Sequence, residues 1–87
     1  MKLTFAERGW EDYLYWQRVD PKRVRRINEL IRACLCEPHA GIGKPEPLRF
    51  DRSGWWSRRI DDEHRLVYRI AGDALEIAQC RYHYGDG

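Results

Sequence analysis

Glu46 stands between Pro45 and Pro47. The two rings restrict the backbone on both sides of it and fix where its carboxylate points. His83 lies within Arg81-Tyr82-His83-Tyr84, and a histidine can give or take a proton near neutrality. Arg58-Arg59 and Arg65 fall on segments that read as neighbouring strands, so their guanidinium groups can converge across a hairpin. If Glu46, Arg65 and His83 meet on one face, they make a base, an anion clamp and an acid. That is the minimum for metal-free phosphodiester cleavage. Taken singly, each has a plainer reading as a solvated surface residue. Other chemistries lack their residues. His39, His64 and His83 are scattered, and no paired-carboxylate motif suits a two-metal site. There is no Gly-rich phosphate loop, Ser-His-Asp context or dinucleotide-binding unit. Neither a metal nor a cofactor is expected.

The elements that must carry these residues are legible in outline. Lys2 to Ala6 reads as a short strand and Glu7 to Val19 as a helix, with Trp10, Tyr13, Leu14 and Gln17 on one face. Asp20-Pro21 is a restart: a capping side chain, then proline at the first helical position. The second helix runs to about Cys36, and Val24, Ile27, Ile31, Cys34 and Leu35 make its apolar stripe. Lys22, Arg23, Arg25, Arg26 and Arg32 fill its other faces, as a solvated surface or a dock for a nucleic-acid backbone. Glu37-Pro38 closes it, and residues 39–47, with two Gly and two Pro, predict a loop. The period then changes from 3.6 to 2. Leu48 to Arg52, Trp55 to Asp61, His64 to Ile70 and Leu75 to Tyr82 read as strands of an antiparallel meander. The order β-α-α-β-β-β-β predicts an α+β fold, an antiparallel sheet with two helices packed on one face. The other face, with Arg65 and His83, would stay open.

The chain has 87 residues and a net charge of +2, so one domain is expected over residues 1–87. A hydrophobic fraction of 43% and a charged fraction of 34% exclude a disordered chain. No apolar run approaches a membrane span, and MKLTFAERGW carries no secretory h-region, so no membrane association and a cytoplasmic setting are expected. Thirteen of the 16 basic residues are Arg, beside four Trp, five Tyr and two Phe. Planar guanidinium groups match phosphate and stack on rings, which points toward a nucleic-acid partner or else only toward a small core rich in bulky residues. Cys34, Cys36 and Cys80 are an odd set without zinc spacing and read as free thiols.

Several stretches together resemble one family. They are Trp10-Glu11-Asp12-Tyr13-Leu14-Tyr15-Trp16-Gln17, Arg26-Ile27-Asn28-Glu29-Leu30-Ile31 and Gly43-Lys44-Pro45-Glu46-Pro47-Leu48, then Ser53-Gly54-Trp55-Trp56-Ser57-Arg58-Arg59-Ile60, Glu63-His64-Arg65-Leu66-Val67-Tyr68 and Cys80-Arg81-Tyr82-His83-Tyr84. In this order they resemble the YoeB (Txe/YoeB) toxins of bacterial toxin–antitoxin systems, within the RelE superfamily. The resemblance covers residues 1–84.

The resemblance implies a RelE-like, microbial-ribonuclease-like sheet. It implies a ribosome-dependent endoribonuclease that cuts mRNA in the ribosomal A site and stops translation. Carried over residue by residue, Glu46 would be the general base on the 2′-OH and Arg65 would stabilise the transition state. His83 would protonate the 5′-oxygen, with Tyr84 beside it. Lys44, Arg49, Arg58, Arg59 and Arg81 would hold RNA or ribosome. The implied partners are mRNA on the ribosome, a YefM/Phd-type antitoxin with an acidic disordered tail, a second copy of the chain, and operator DNA only through the antitoxin.

Arg49 stands where the family commonly has Lys, and Phe50 and Asp51 replace more polar neighbours. Gly85-Asp86-Gly87 follow Tyr84 as a flexible tail, either without a role or as a weak anionic screen over Arg65, Arg81 and His83. The alternative function is a non-catalytic toxin of the RelE/ParE fold acting on a protein target, or a plain RNA-binding module.

Overall fold

Asp20 joins two helices with almost no linker. Its N–H donates to the carbonyl of Trp16 and ends α1 (Glu7–Val19), while its carboxylate accepts the Lys22 N–H at 3.1 Å and opens α2 (Pro21–Cys36). Pro21 sits in the first turn, where a missing N–H costs nothing. The computed structural model describes residues 1–49 and 53–82. Among them, β1 (Lys2–Phe5) precedes the helices. The short β2 (Glu46–Pro47), β3 (Trp56–Arg59), β4 (Arg65–Ala71) and β5 (Ala74–Gln79) follow.

Of the stripe expected on α2, Ile27, Ile31 and Cys34 are buried, Val24 is partly buried and Leu35 stays at the exposed rim; Leu30, outside the expected stripe, is fully buried with them. This stripe joins Leu66, Tyr68, Leu75 and Ile77 of the sheet in one core. Each fully buried Leu or Ile among them contributes roughly 1.5–3 kcal/mol.

α1 buries a different face from the expected one. Trp10, Leu14 and Gln17 are exposed, while Gly9, Asp12 and Trp16 face inward. The reason is close approach. A Cβ on Gly9 would lie 2.5 Å from the carbonyl oxygen of Ile77, so only glycine lets α1 lie this near β5. At the rim, Phe5, Trp10 and Tyr13 pack with centroids 5.5–6.0 Å apart. Gly9→Ala therefore tests the packing. Helix propensity alone favours alanine by up to about 1 kcal/mol. Here overpacking is expected to win, with a net loss of about 1–3 kcal/mol in urea unfolding. A stabilised variant would contradict the contact.

The sheet order is β1-β5-β4-β3-β2, with antiparallel pairing from β2 through β5 as predicted. It departs from a wholly antiparallel sheet at β1, which pairs in parallel with β5. The two helices carry the chain from one edge to the other. The meander then walks back, and its last strand arrives beside β1 running the same way.

Two boundaries differ from expectation for local reasons. Glu46 lies on a strand rather than in the loop: Glu46 pairs with Ser57 and Pro47 with Trp56, and the Leu48 N–H donates to the Trp55 carbonyl at 2.9 Å. The prolines impose extended backbone and are tolerated because β2 is an edge strand. Of the strand expected at 48–52, residues 50–52 lie outside the described residues. β5 ends at Gln79 instead of continuing to Tyr82, because α1 takes both backbone groups of Cys80. Asp12 Oδ2 accepts its N–H at 3.1 Å, and Trp16 Nε1 donates to its carbonyl at 2.7 Å.

Candidate active site

Leu66 and Tyr68 of β4 point into the helix-covered core, so Arg65 and Val67 lie on the opposite face. The register extends that face outward. Val67 pairs with Ser57, Ser57 with Glu46, and Arg65 with Arg59. Glu46, Arg59 and Arg65 thus share the face away from the helices, on three adjacent strands. Adjacent strands are about 4.8 Å apart, so β4 stands two such spacings from Glu46, with Arg59 on the strand between. Glu46 and Arg59 are exposed and Arg65 is half-buried.

The turn between β3 and β4 aims Arg65. Asp61 Oδ1 accepts the N–H groups of Glu63 and His64 at 2.8 and 2.7 Å, and its Oδ2 pairs with Arg23 Nε at 2.7 Å. The Asp61 carbonyl then accepts Arg65 Nη1 at 2.9 Å. Tethering one nitrogen fixes where the rest of the fork points. Burial works to raise the Asp61 carboxyl. The two backbone N–H groups together with Arg23 and His64 outweigh it and hold the group below its ordinary value. A depressed carboxyl gives stability that is complete above its unfolded value, near 3.9, and is lost as pH falls through the folded one. Asp61→Asn is therefore expected to melt below the parent chain at pH 7, with the gap narrowing below about pH 4. A gap independent of pH would contradict this role.

His64 holds the chain where it approaches Arg65. Its Nδ1 accepts the Tyr82 N–H at 2.7 Å, and the Arg65 N–H donates to the Tyr82 carbonyl at 3.0 Å. The buried imidazole is edge-on to Trp16, with centroids 4.9 Å apart. Tyr82 is held at φ 65° and Lys44 at φ 51°, both in the left-handed region that non-glycine residues rarely adopt. One precedes Glu46 by two positions, and the other directly precedes His83. His64 and Asp61 were missed in the sequence, where His64 counted only as one scattered histidine. Its place directly before Arg65 was the available signal.

The remaining expected residues separate into distinct environments. Lys44, Arg49 and Arg59 are exposed. Arg81 is half-buried, its guanidinium 3.6 Å from the centre of the Tyr15 ring and 4.5 Å from that of Tyr82. Arg58 is a correction. It is fully buried on the core side, and its nitrogens donate to Tyr68 Oη and to the carbonyls of Glu37, Ala40 and Ile42. With its donors spent inside the protein, it cannot grip a phosphate. His83 and Tyr84, with the 85–87 tail, lie outside the described residues.

Other titratable groups belong to the core. Burial pushes the Cys34 and Cys80 thiols up, which leaves them inert at neutral pH. Burial also raises the Asp12 carboxyl, against the Cys80 N–H, Arg8 and Arg81. Among the described residues, no group of three or more His, Cys, Asp or Glu is arranged to hold a metal. No helix among them is long and apolar enough to cross a membrane.

Residues 5–84 match the model of the YoeB-like toxin of bacterial type II toxin–antitoxin systems. The chain is 57% identical over 84 residues to the toxin YoeB of Escherichia coli K12, covering 97% of this chain and all of that one. Among solved structures, it superposes on a YoeB/ParE toxin from Agrobacterium tumefaciens with a TM-score of 0.94 at 53% identity, over 97% of this chain and 100% of that one. It superposes on the YoeB dimer of Staphylococcus aureus with a TM-score of 0.90 at 45% identity, over 97% and 98% of the two chains. The Staphylococcus aureus toxin is also solved as a heterotetrameric YoeB-YefM toxin–antitoxin complex, to which this chain is similar with a TM-score of 0.88 at 45% identity and the same coverage.

Proposed function

The chain belongs to the YoeB-like toxins of bacterial type II toxin–antitoxin systems, and from that premise we propose that it is a ribosome-dependent endoribonuclease. It cuts mRNA in the ribosomal A site and stops translation. The observation that carries the reading is the shared open face of Glu46, Arg59 and Arg65. It offers a carboxylate and two guanidinium groups on adjacent strands.

In this reading Glu46 takes the proton of the substrate's 2′-OH, and the resulting oxygen attacks the adjacent phosphorus. Arg65 stabilises the charge that builds on the phosphoryl oxygens. The bond to the 5′-oxygen breaks as His83 gives that oxygen a proton, with Tyr84 beside it. A 2′,3′-cyclic phosphate, or the 3′-phosphate it opens to, and a 5′-OH remain. Lys44, Arg49, Arg59 and Arg81 hold RNA and ribosome. The nucleophile comes from the substrate, so the scheme calls on no cofactor.

The relatives solved as a dimer and in complex with YefM support two protein partners for this chain, a second copy and a YefM-type antitoxin. Operator DNA would be reached only through that antitoxin, and the work would be done in the cytoplasm, where ribosomes are. The test is a defined mRNA incubated with the purified chain, with and without ribosomes. Cleavage within the A-site codon only when ribosomes are present is expected. Equal cutting of naked RNA, or none in either case, would overturn the reading.

A further inference from the structure

Arg58 and Arg59 are neighbours in sequence and opposites in environment. Period-2 alternation along β3 turns Arg59 to the open face and Arg58 into the core. Burying a guanidinium is costly unless its donors are satisfied. Here four donations satisfy it. Nε donates to Tyr68 Oη at 3.1 Å, Nη1 to the Ile42 carbonyl at 2.9 Å, and Nη2 to the carbonyls of Glu37 and Ala40 at 2.6 and 2.8 Å. Tyr68 in turn donates its O–H to the Pro38 carbonyl at 2.6 Å. Among the described residues, no carboxylate pairs with Arg58. Its charge is met by peptide dipoles gathered where α2 ends, the negative pole of the helix.

All four carbonyls come from residues 37–42, the segment that leads to Glu46. The segment has little of its own to hold it. Gly41 and Gly43 have φ of 112° and 82°, and Lys44 follows at 51°. Gly43 lies against the Arg58 side chain: a Cβ there would be 3.1 Å from Arg58 Cβ and 2.7 Å from Leu30 Cδ2. The Gly43 carbonyl accepts the Arg59 N–H at 2.6 Å. Outside, His39 stacks on Trp56 with centroids 4.3 Å apart. Three residues after Gly43 the chain reaches Glu46.

We propose that Arg58 and Tyr68 are positioning residues, a buried clamp that gathers the 37–42 carbonyls and thereby fixes where Glu46 stands. The inference rests on the reading of Glu46 as the base. A misplacement of about 1 Å in a reacting group costs up to roughly 10²-fold in rate.

Tyr68→Phe keeps the ring and removes the hydroxyl. Arg58→Lys keeps the charge but cannot span three carbonyls. Both are read in single-turnover cleavage on ribosomes, and in amide hydrogen exchange of the free protein. Ile77→Val, a core change away from the segment, is the stability control. The clamp predicts a kcat lower by about 10- to 100-fold in Tyr68→Phe, with KM within about twofold, and a larger loss in Arg58→Lys if that variant folds. It predicts faster exchange across 38–46 with α2 protection unchanged, and neither effect in Ile77→Val. Unchanged exchange in Tyr68→Phe, an unchanged kcat, or an equal kcat loss in Ile77→Val overturns the clamp. Glu46→Gln is run in parallel. Full activity there overturns the base assignment itself, whereas an inactive Glu46→Gln beside a fully active Tyr68→Phe overturns the clamp alone.

Discussion

Glu46→Gln is expected to lower single-turnover cleavage of ribosome-bound mRNA by about 10²- to 10⁴-fold, the range for a lost general base. The amide keeps the size and the hydrogen-bonding reach of the carboxylate but cannot accept the proton of the 2′-OH. Glu46 is exposed on an edge strand, so melting should be nearly unchanged. Arg65→Ala is expected to cost a similar factor through a different step, the loss of charge stabilisation in the transition state. It also gives up the bond from Nη1 to the Asp61 carbonyl, so a small drop in melting temperature accompanies it. His83→Gln should join them as the loss of the acid. Full cleavage by any one of these variants, measured on folded protein, removes that residue from the scheme.

A larger effect is expected from the substrate. One 2′-deoxy substitution at the nucleotide on the 5′ side of the cut removes the nucleophile altogether. Cleavage at that bond should fall to background, while ribosome binding by the toxin stays within about twofold. No protein group can substitute in this scheme, because Glu46 only receives a proton. Cleavage that persists at the same bond would require water or a protein nucleophile and would end the mechanism.

Much of this was readable before the structure, and the exceptions share a cause. Asp20-Pro21 marked the helix junction because capping and proline placement are local. The stripe of α2 and the antiparallel meander were legible because periodicity is local. The motifs around Glu46 and Arg65 directed attention to both, and the sheet register puts them on one face. What failed depended on contacts far apart in sequence. The α1 face was misjudged because nothing near Gly9 says that the Ile77 carbonyl will lie against it. β1 runs parallel to β5, a pairing across some 70 positions that no local signal records. The end of β5 is drawn off by Asp12 and Trp16, also far away. Arg58 is different, since its burial could have been read. Alternation from Trp56 puts Arg58 on the core side and Arg59 outside, whereas the resemblance assigns both arginines to RNA or ribosome.

The most direct test of the central claim is the chemistry of the cut ends. A ribosome-bound message is cleaved by the purified chain, and the downstream fragment is offered to a polynucleotide kinase with labelled phosphate, with and without prior phosphatase. Attack by the 2′-OH leaves a 5′-OH, so the fragment should label directly, and the upstream fragment should carry a 2′,3′-cyclic or 3′-phosphate. A downstream fragment that labels only after phosphatase carries a 5′-phosphate. That result would mean activated water attacked instead, and would contradict the roles given to Glu46, Arg65 and His83 together.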